Sequence, residues 1–204
     1  MTHSNITPRR SYLAERRAHW EQVAQAWGGR RSWGAFYHQR LRELFAFHVA
    51  PGRRVLELGC GQGDLLASLK PSFGLGVDFS PTIISLASQR HPDLHFIVAD
   101  AEDLPLKSTF DVIILSDLVN DLWDVQTLLE RLRPLCGPQT RILLNFYSRV
   151  WEIPIKIGQS LSVARPTLLQ NWLTLPDMRN LLLLTGYEVI RNSPEIIFPL
   201  PIPL

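Results

Sequence analysis

Short apolar segments alternate with helix-like segments five times between residues 55 and 147, and no other feature constrains the fold as strongly. The predicted strands are 55–58, 74–78, 95–100, 111–117 and 141–147. The fourth strand contains a continuous apolar run, which is typical of a strand that is buried on both faces. Strands that alternate with helices through short links favour a parallel sheet with helices on both sides and right-handed crossovers.

Capping signals support two of the predicted helices. Ser80-Pro81 is typical of a helix start, because serine caps the free N–H groups and proline fits the first helical position. Thr174 and Asp177 have the spacing of a capping box, so a second helix is expected to begin there. Two last strands are predicted after this helix, at 187–191 and 195–198.

The first fifty residues are predicted to form a helical arm or lid. The helical pattern runs from about residue 11 to residue 49, with a break at Gly28-Gly29. Trp20, Val23 and Trp27 recur at spacings of three and four, which indicates one apolar helix face. The predicted division of the chain is an arm at 1–50, a folded domain at 51–198 and a Pro-rich tail or truncated linker at 199–204.

The charge of the chain is divided unevenly. Residues 1–54 hold ten arginines and three glutamates, whereas the remaining residues carry a net negative charge. A basic arm can bind an anionic ligand or surface, or its arginine stems can cover apolar surface while the charged ends stay in water. No sequence signature of a nucleic-acid-binding module is present, so a nucleic-acid partner is not expected.

Composition excludes several classes of protein. With 46% hydrophobic and 20% charged residues among 204, the chain resembles an ordinary globular domain, not a disordered, collagen-like or disulfide-rich chain. Neither the two cysteines, Cys60 and Cys136, nor the scattered histidines have the spacing of a metal site. No apolar run approaches the roughly 20 residues of a membrane span, and the N-terminus lacks the apolar core of a signal peptide. A cytoplasmic location is expected.

Three glycines, at positions 59, 61 and 63, directly follow the first predicted strand. Such a loop lets a ligand approach the backbone, and the turn is expected to present free N–H groups at the start of the next helix. Asp78 ends the second strand, where a carboxylate can accept hydrogen bonds from both hydroxyls of a ribose. Because a carboxylate there disfavours a 2′-phosphate, the pattern predicts a site for an adenosine-bearing cofactor without that phosphate.

Four segments occur in order at the ends of successive predicted strands: VLELGCGQGDLL, GVDFSP, VADAEDLP and FDVIILSDLVND. Together they resemble the successive motifs of class I S-adenosylmethionine-dependent methyltransferases, over about residues 53–192. The resemblance implies a Rossmann-like three-layer α/β sandwich with a seven-stranded, mostly parallel sheet whose last strand is antiparallel. It also implies methyl transfer with S-adenosyl-L-methionine as the cofactor.

The resemblance further implies which residues contact this cofactor. Asp78 would hold the ribose hydroxyls, Asp100 would meet the adenine amino group, and Asp117 would lie near the sulfonium and the substrate. Tyr37 resembles an N-terminal tyrosine that folds over the cofactor. The full predicted set is Tyr37, Glu57, Gly59, Cys60, Gly61, Asp78, Phe79, Asp100, Ala101, Asp117 and Leu118.

Methyl transfer from a sulfonium is an in-line displacement, so the protein mainly aligns the reactants, which can supply roughly 7–11 kcal/mol. An oxygen or nitrogen acceptor also benefits from a general base within about 2.6–3.2 Å. The predicted catalytic residues are Asp117, His38 and Tyr147. Asp121 is a further candidate, but it and Asp124 also have the position of caps for the helix that follows the fourth strand.

The acceptor pocket is expected beyond the fifth strand, where Asn145, Tyr147 and Arg149 lie at the end at which open α/β sheets bind ligands. The segments SDLVNDLWDVQ, LNFYSRVWE and ARPTLLQNWLT resemble methyltransferase segments of bacterial chains that continue into a glycosyltransferase domain. That narrower resemblance implies a glycan or glycolipid acceptor and a glycosyltransferase domain or partner. A small-molecule acceptor is the broader expectation.

Two other functions use parts of the same pattern. An NAD-dependent oxidoreductase would need the same loop and ribose acid, but its fingerprint is Gly-x-Gly-x-x-Gly, whereas the third glycine here is Gly63. A noncatalytic module that supports a partner domain would bind the cofactor and transfer no methyl group. Cofactor binding and transfer to an acceptor therefore separate the three functions.

Overall fold

The computed structural model of the chain describes residues 8–25, 35–149, 152–160, 168 and 170–193. Its strands are β1 (Arg54–Leu58), β2 (Phe73–Asp78), β3 (His95–Val98), β4 (Phe110–Leu115) and β5 (Cys136–Leu144). These five strands, all that occur in the described residues, form one parallel sheet in the order β3-β2-β1-β4-β5. The predicted parallel α/β architecture is thereby confirmed.

Helices precede, connect and follow the strands. They are α1 (Pro8–Gln25), α2 (Ala35–His48), α3 (Asp64–Ser68), α4 (Pro81–Arg90), α5 (Val125–Leu132), α6 (Glu152–Ser160) and α7 (Leu175–Leu184). Short 3₁₀ turns lie at Val119–Asp121 and Arg133–Leu135. The sequence pattern predicted α1 and α2 as helical but did not predict α6. No helix in the described ranges is both long and apolar enough to span a membrane.

Local capping explains where α4 and α7 begin. The Ser80 Oγ accepts a hydrogen bond from the Ile83 N–H at 3.2 Å, and Pro81 occupies the start of the helix. Thr174 and Asp177 form a reciprocal capping box, in which each side chain accepts a hydrogen bond from the other residue's N–H. Both helix starts that the sequence predicted are confirmed.

The side chains of the central strand β1 alternate between two hydrophobic layers. On one face, Leu56 and Leu58 pack in the same cluster as Leu128 of α5. On the other face, Val55 packs in a cluster that includes Phe45 of α2. Helix α2 therefore belongs to the hydrophobic core, although the division into an arm and a domain stays a prediction.

The strand order determines where a ligand can bind. Strand β1 lies between β2 and β4. From β1 the chain continues to β2 and β3 toward one edge of the sheet, and then crosses back to β4 and β5 on the other side of β1. At this reversal the loops after β1 and β4 diverge and leave a crevice outside the carboxyl ends of the strands. The residues that the sequence analysis singled out follow these strand ends.

The seven-stranded sheet with an antiparallel last strand is not confirmed. Residues 187–191, predicted as a strand, are not paired in the sheet. Tyr187 instead bonds to two helices: its N–H donates to the Leu182 carbonyl of α7 at 2.8 Å, and its hydroxyl donates to the Leu129 carbonyl of α5 at 2.9 Å. Tyr187 and Val189 are half-buried, whereas Ile190 is 80% exposed. The strand predicted at 195–198, the tail at 199–204 and the break at Gly28-Gly29 lie outside the described residues.

Two glycines make room for one aromatic ring. A Cβ at Gly76 would lie 2.6 Å from Phe96 Cδ1 and 2.9 Å from Cys60 Sγ, and a Cβ at Gly63 would lie 2.6 Å from Phe96 Cζ. Gly76 and Phe96 are directly paired between β2 and β3. Gly63, interpreted from the sequence as a ligand-approach glycine, thus also has a packing function.

Gly76→Ala should lower the free energy of unfolding by about 1–3 kcal/mol, because the added methyl group forces a well-packed ring and a thiol to shift. Urea denaturation measures the change. Gly137→Ala is the matched control, since a Cβ at this strand glycine would meet only Thr140 Oγ1 at 3.9 Å. Wild-type stability in Gly76→Ala would contradict the packing function.

Candidate functional site

The glycine turn after β1 has a backbone that few other residues could adopt. Gly59, Gly61 and Gly63 have φ angles of 69°, 53° and 76°, in the left-handed region that favours glycine. The N–H groups of Gly59 and Cys60 both donate to the Val77 carbonyl, at 2.8 and 3.0 Å. These two hydrogen bonds join the turn to the end of β2.

The N–H groups of this turn are largely used within the protein. In addition to the two that bond to Val77, the Gly61 N–H donates to Asp78 Oδ2 at 3.3 Å, and the Gly63 N–H donates to the Cys60 carbonyl at 2.9 Å. The sequence analysis expected free N–H groups here, and for these residues that expectation is wrong. The physical reason is that β2 and Asp78 approach the turn closely enough to accept its hydrogen bonds.

Asp78 is a buried carboxylate at the end of β2, with 7% of its surface exposed. Its Oδ1 accepts a hydrogen bond from the Ser80 N–H at 3.0 Å, while its Oδ2 faces the Gly61 N–H. Burial raises the pKa of Asp78 to about 6, and these backbone hydrogen bonds partly oppose the rise. The carboxylate is therefore held beside the glycine turn, at the carboxyl ends of β1 and β2.

Glu57 is buried more deeply, on β1, with 2% of its surface exposed. Its Oε2 accepts a hydrogen bond from the Leu66 N–H of α3 at 3.0 Å. Desolvation raises the pKa of Glu57 to about 8, because the backbone hydrogen bond offsets only part of the cost of burying a charge. Glu57 thus joins the first strand to the helix that follows the glycine turn.

A second group of polar side chains meets beyond β4 and β5. Asp117 adopts a left-handed backbone conformation, with a φ of 54°. Its Oδ1 accepts hydrogen bonds from the Tyr37 hydroxyl at 2.6 Å and from Asn145 Nδ2 at 2.5 Å. Burial raises the pKa of Asp117 to about 6, and the bonds from Tyr37 and Asn145 act in the opposite direction.

Tyr147 completes this group, which we call the Asp117 cluster (Tyr37, Asp117, Asn145 and Tyr147). Its ring stacks on that of Tyr37, with 5.9 Å between the ring centroids and 21° between the ring planes. Desolvation, followed by the negative charge of Asp117, raises the pKa of Tyr147 above its ordinary value. Both phenols of the cluster therefore stay protonated near neutral pH.

The Asn120 side chain holds Tyr147 in position through hydrogen bonds to the Tyr147 backbone. The Asn120 Oδ1 accepts from the Tyr147 N–H at 2.9 Å, and the Asn120 Nδ2 donates to the Tyr147 carbonyl at 3.1 Å. Asn120 is 1% exposed. Sequence reasoning did not single out Asn120, because a buried asparagine in a loop has no local signature that distinguishes it from a turn residue.

The predicted catalytic residues are only partly brought together. Asp117 and Tyr147 share one cluster. His38 lies on the exposed side of α2, where its ring contacts that of Tyr37 with 5.4 Å between centroids. Arg149, expected at the acceptor pocket, is 69% exposed in its side chain. A catalytic role for His38 stays a prediction.

Asp100 lies after β3, at the same edge of the sheet. Its Oδ1 accepts from the Glu102 N–H at 2.9 Å, and its Oδ2 pairs with Arg9 Nη2 at 2.6 Å. Glu102 is buried, and its Oε1 accepts from the Trp123 and Asp124 N–H groups at 2.6 and 3.0 Å. The loops after β3 and β4 are therefore tied together by a carboxylate that the sequence analysis assigned no role.

The structure shows which of Asp121 and Asp124 caps the helix that follows β4. Asp124 caps α5, since its Oδ1 accepts from the Thr127 N–H at 3.0 Å. Asp121 instead meets α1, where Trp20 Nε1 donates to its Oδ2 at 3.2 Å and Arg16 Nε lies 3.8 Å from its Oδ1. The capping interpretation is confirmed for Asp124 and wrong for Asp121.

The remaining predicted residues line the same edge. Phe79, Ala101 and Leu118 are half-buried after β2, β3 and β4 respectively. Leu118 also approaches the glycine turn, since a Cβ at Gly59 would lie 3.0 Å from Leu118 Cδ1. Within the residues that the structure describes, no cluster of three or more His, Cys, Asp or Glu side chains has the arrangement of a metal site.

Comparison with known proteins identifies this arrangement. A family described as a methyltransferase domain matches residues 55–139, from β1 into β5. The fold is shared with an S-adenosylmethionine-dependent methyltransferase of Mesorhizobium loti, at a TM-score of 0.56 and 19% identity over 67% of this chain and 74% of that one. Residues 55–139 therefore match a methyltransferase domain, in agreement with the resemblance seen in the sequence. The Mesorhizobium loti protein depends on S-adenosylmethionine.

Curated proteins also match parts of this chain. A probable phthiotriol/phenolphthiotriol dimycocerosates methyltransferase 2 of Mycobacterium ulcerans is 41% identical over 70 residues, which cover 31% of this chain and 27% of that protein. A 2-phytyl-1,4-naphtoquinone methyltransferase of Trichormus variabilis is 27% identical over 149 residues, which cover 65% of each chain. The chain thus spans between about a quarter and two thirds of these curated relatives.

Glu57→Gln should make protein stability less dependent on pH. Because the folded-state pKa of Glu57 is raised from 4.5 to about 8, wild-type stability falls as pH rises through that interval. Between pH 5 and pH 8 the free energy of unfolding of Glu57→Gln should rise relative to wild type by more than about 1 kcal/mol, since one pKa unit corresponds to about 1.36 kcal/mol.

Urea denaturation at a series of pH values measures this difference. Glu188→Gln is the control, because Glu188 is exposed and its substitution should leave the wild-type slope unchanged. If the free energy of unfolding changes with pH equally in wild type and in Glu57→Gln, Glu57 is not the buried acid that makes stability depend on pH.

Proposed function

We propose that this methyltransferase domain transfers a methyl group to a hydroxyl of a small, lipid-linked acceptor, with Asp117 as the base. The observation that carries the proposal is the Asp117 cluster, in which a carboxylate accepts hydrogen bonds from Tyr37 and Asn145, and Tyr147 stacks on Tyr37. A base with a pKa near the working pH is the most effective in proton transfer, and the pKa of Asp117 is raised to about 6.

The residues at the crevice fit S-adenosylmethionine by the chemistry of their polar groups. Carboxylates accept hydrogen bonds, and the ribose hydroxyls and the adenine amino group donate them. We assign Asp78, with Phe79 beside it, to the ribose and adenine, and Asp100 with the Ala101 backbone to the adenine amino group. We assign Glu57, Gly59, Cys60 and Gly61 to the methionine part. When bound, the cofactor supplies an electrophilic methyl group on a sulfonium.

The internal hydrogen bonds of the glycine turn favour this cofactor over NAD. Dinucleotide folds bind the pyrophosphate with free N–H groups at the turn and the helix N-terminus. Here the N–H groups of Gly59, Cys60, Gly61 and Gly63 are paired within the protein, and that of Leu66 is bound by Glu57. S-adenosylmethionine carries no phosphate and does not need them.

The Asp117 cluster can orient and deprotonate an acceptor hydroxyl. Above pH 6 the Asp117 carboxylate is mostly ionised and can take the proton that the hydroxyl releases. The protonated phenol of Tyr147 can donate a hydrogen bond to an acceptor oxygen, and its stacking on Tyr37 restricts its motion. The Tyr37 hydroxyl donates to Asp117 Oδ1 and so holds the base in place. The Asn145 amide donates to the same carboxylate oxygen as the Tyr37 hydroxyl.

The class of acceptor is inferred from the names of relatives. The names of the mycobacterial and cyanobacterial relatives designate a dimycocerosate and a phytyl-naphthoquinone as what those proteins methylate. Both are hydrophobic molecules with long chains, so a lipid-linked acceptor is the first to test. A glycan or glycolipid acceptor and a glycosyltransferase partner stay predictions of the narrower sequence resemblance.

Asp78→Asn should weaken the binding of S-adenosylhomocysteine by about tenfold or more, because each hydrogen bond to a charged group contributes about 1.5–3 kcal/mol. Isothermal titration calorimetry measures the change. Asp93→Asn removes the same charge from an exposed loop residue and should bind normally. Unchanged affinity in Asp78→Asn would overturn the ribose assignment.

Asp117→Asn should lower kcat about 100-fold or more, because the general base is lost. Tyr37→Phe removes a hydrogen bond that lowers the pKa of Asp117, so the acidic limb of kcat should move to higher pH. Transfer of radiolabelled methyl groups to quinols, lipid alcohols and glycolipids, measured across pH, tests both.

Tyr187→Phe is the control for these measurements, since the Tyr187 hydroxyl bonds to the Leu129 carbonyl on the opposite side of the domain from α2. If the acidic limb of kcat lies at the same pH in Tyr37→Phe as in wild type, Asp117 is excluded as the base. Cofactor binding without transfer to any acceptor class would favour the noncatalytic module.

A further inference from the structure

The first turn of α1 is bound to the loop after β3 by one arginine. Arg9 Nη2 lies 2.6 Å from Asp100 Oδ2 and 3.3 Å from Glu102 Oε2, and Arg9 Nε lies 3.4 Å from the same Glu102 oxygen. Arg9 is 39% exposed in its side chain, whereas Glu102 is 3% exposed. A single guanidinium therefore bridges two carboxylates of one loop.

Both oxygens of Asp100 are occupied in this arrangement. Oδ1 accepts from the Glu102 N–H at 2.9 Å, and Oδ2 receives the Arg9 guanidinium. A further donor directed at Asp100 Oδ2 has to share that oxygen with Arg9 or displace the guanidinium. Asp100 is also the carboxylate to which the proposed function assigns the adenine amino group.

The rest of α1 is held over the same edge of the sheet by separate contacts. The Tyr12 hydroxyl donates to the Leu122 carbonyl at 2.9 Å, and Arg16 Nε donates to the Asp121 carbonyl at 2.9 Å. Near the other end of the helix, Glu21 accepts hydrogen bonds from the Ser80 and Thr82 hydroxyls, both at 3.2 Å. The first turn can therefore be released while the remainder of α1 stays in place.

We propose that Arg9 is an internal competitor of the cofactor: it occupies Asp100 in the cofactor-free protein and is displaced when the adenine amino group binds. This inference rests on the proposed function, because it takes from it the adenine assignment of Asp100. Its expected effect on cofactor affinity is opposite to that of an arm that simply closes over the cofactor. An arm that only closes over the cofactor strengthens binding, whereas the Arg9 contact weakens it.

The experiment compares Arg9→Met with Arg10→Met by titration with S-adenosylhomocysteine. Both variants remove one positive charge from the same turn, and Arg10 is exposed. Arg9→Met should bind about two- to fivefold more tightly than wild type, the range that corresponds to a partly exposed ion pair, and Arg10→Met should bind as wild type does. The difference should shrink at 0.5 M salt, where exposed charges are screened.

Hydrogen–deuterium exchange gives a readout that does not depend on affinity. Addition of S-adenosylhomocysteine to wild type should increase exchange in the first turn of α1, because Arg9 leaves Asp100. In Arg9→Met, exchange of that turn should already be high without the ligand. Protection of the turn by the ligand in wild type would overturn the proposal.

The outcomes separate this inference from the proposed function. If all variants bind the ligand and Arg9→Met binds equally or more weakly than wild type, the competitor role is overturned and the methyltransferase proposal stands. If neither wild type nor Arg9→Met binds S-adenosylhomocysteine, the proposed function fails, and the inference fails with it.

Discussion

Burial of carboxylates at the ends of parallel strands is the constraint on which the rest of this edge of the sheet depends. Glu57, Asp78 and Asp117 follow or end neighbouring strands and are removed from water. A buried charge is costly unless hydrogen bonds compensate it. The compensating donors are the N–H groups of Gly61, Leu66 and Ser80, the Tyr37 hydroxyl and the Asn145 amide. Because these donors belong to different elements, satisfying the acids also fixes the loops.

The same burial gives the site its chemistry. Desolvation raises the pKa of each of these acids toward neutrality, the range in which a small change of environment alters the charge. Asp117 combines such a pKa with hydrogen bonds from the Tyr37 phenol and the Asn145 amide, which is why we propose it as the base. Glu57 has a backbone donor from α3, and its effect is on stability and on the position of the glycine turn.

Helix α1 adds a polar cover to this edge. It contacts the residues after β2, β3 and β4 through carboxylates, guanidinium groups and hydroxyls, and the Tyr12 ring also meets that of Trp123. Polar contacts of this kind exchange readily for contacts with water or with a ligand, since their net contribution is small. Helix α2 differs, because Phe45 and its apolar neighbours are buried against β1 and hold it in the core.

The sequence by itself determined the parallel sheet, the caps of α4 and α7 and the glycine turn, because periodicity, capping and a left-handed φ are local requirements. Only the tertiary structure decided which side chains meet. Tyr37 and Asp117 are 80 residues apart, and Arg9 and Asp100 are 91 apart. Residues 187–191 have the pattern of a strand, yet the Tyr187 N–H is bonded to the Leu182 carbonyl of α7 and not to a neighbouring strand. Such contacts depend on how whole elements pack, and no local pattern encodes that packing.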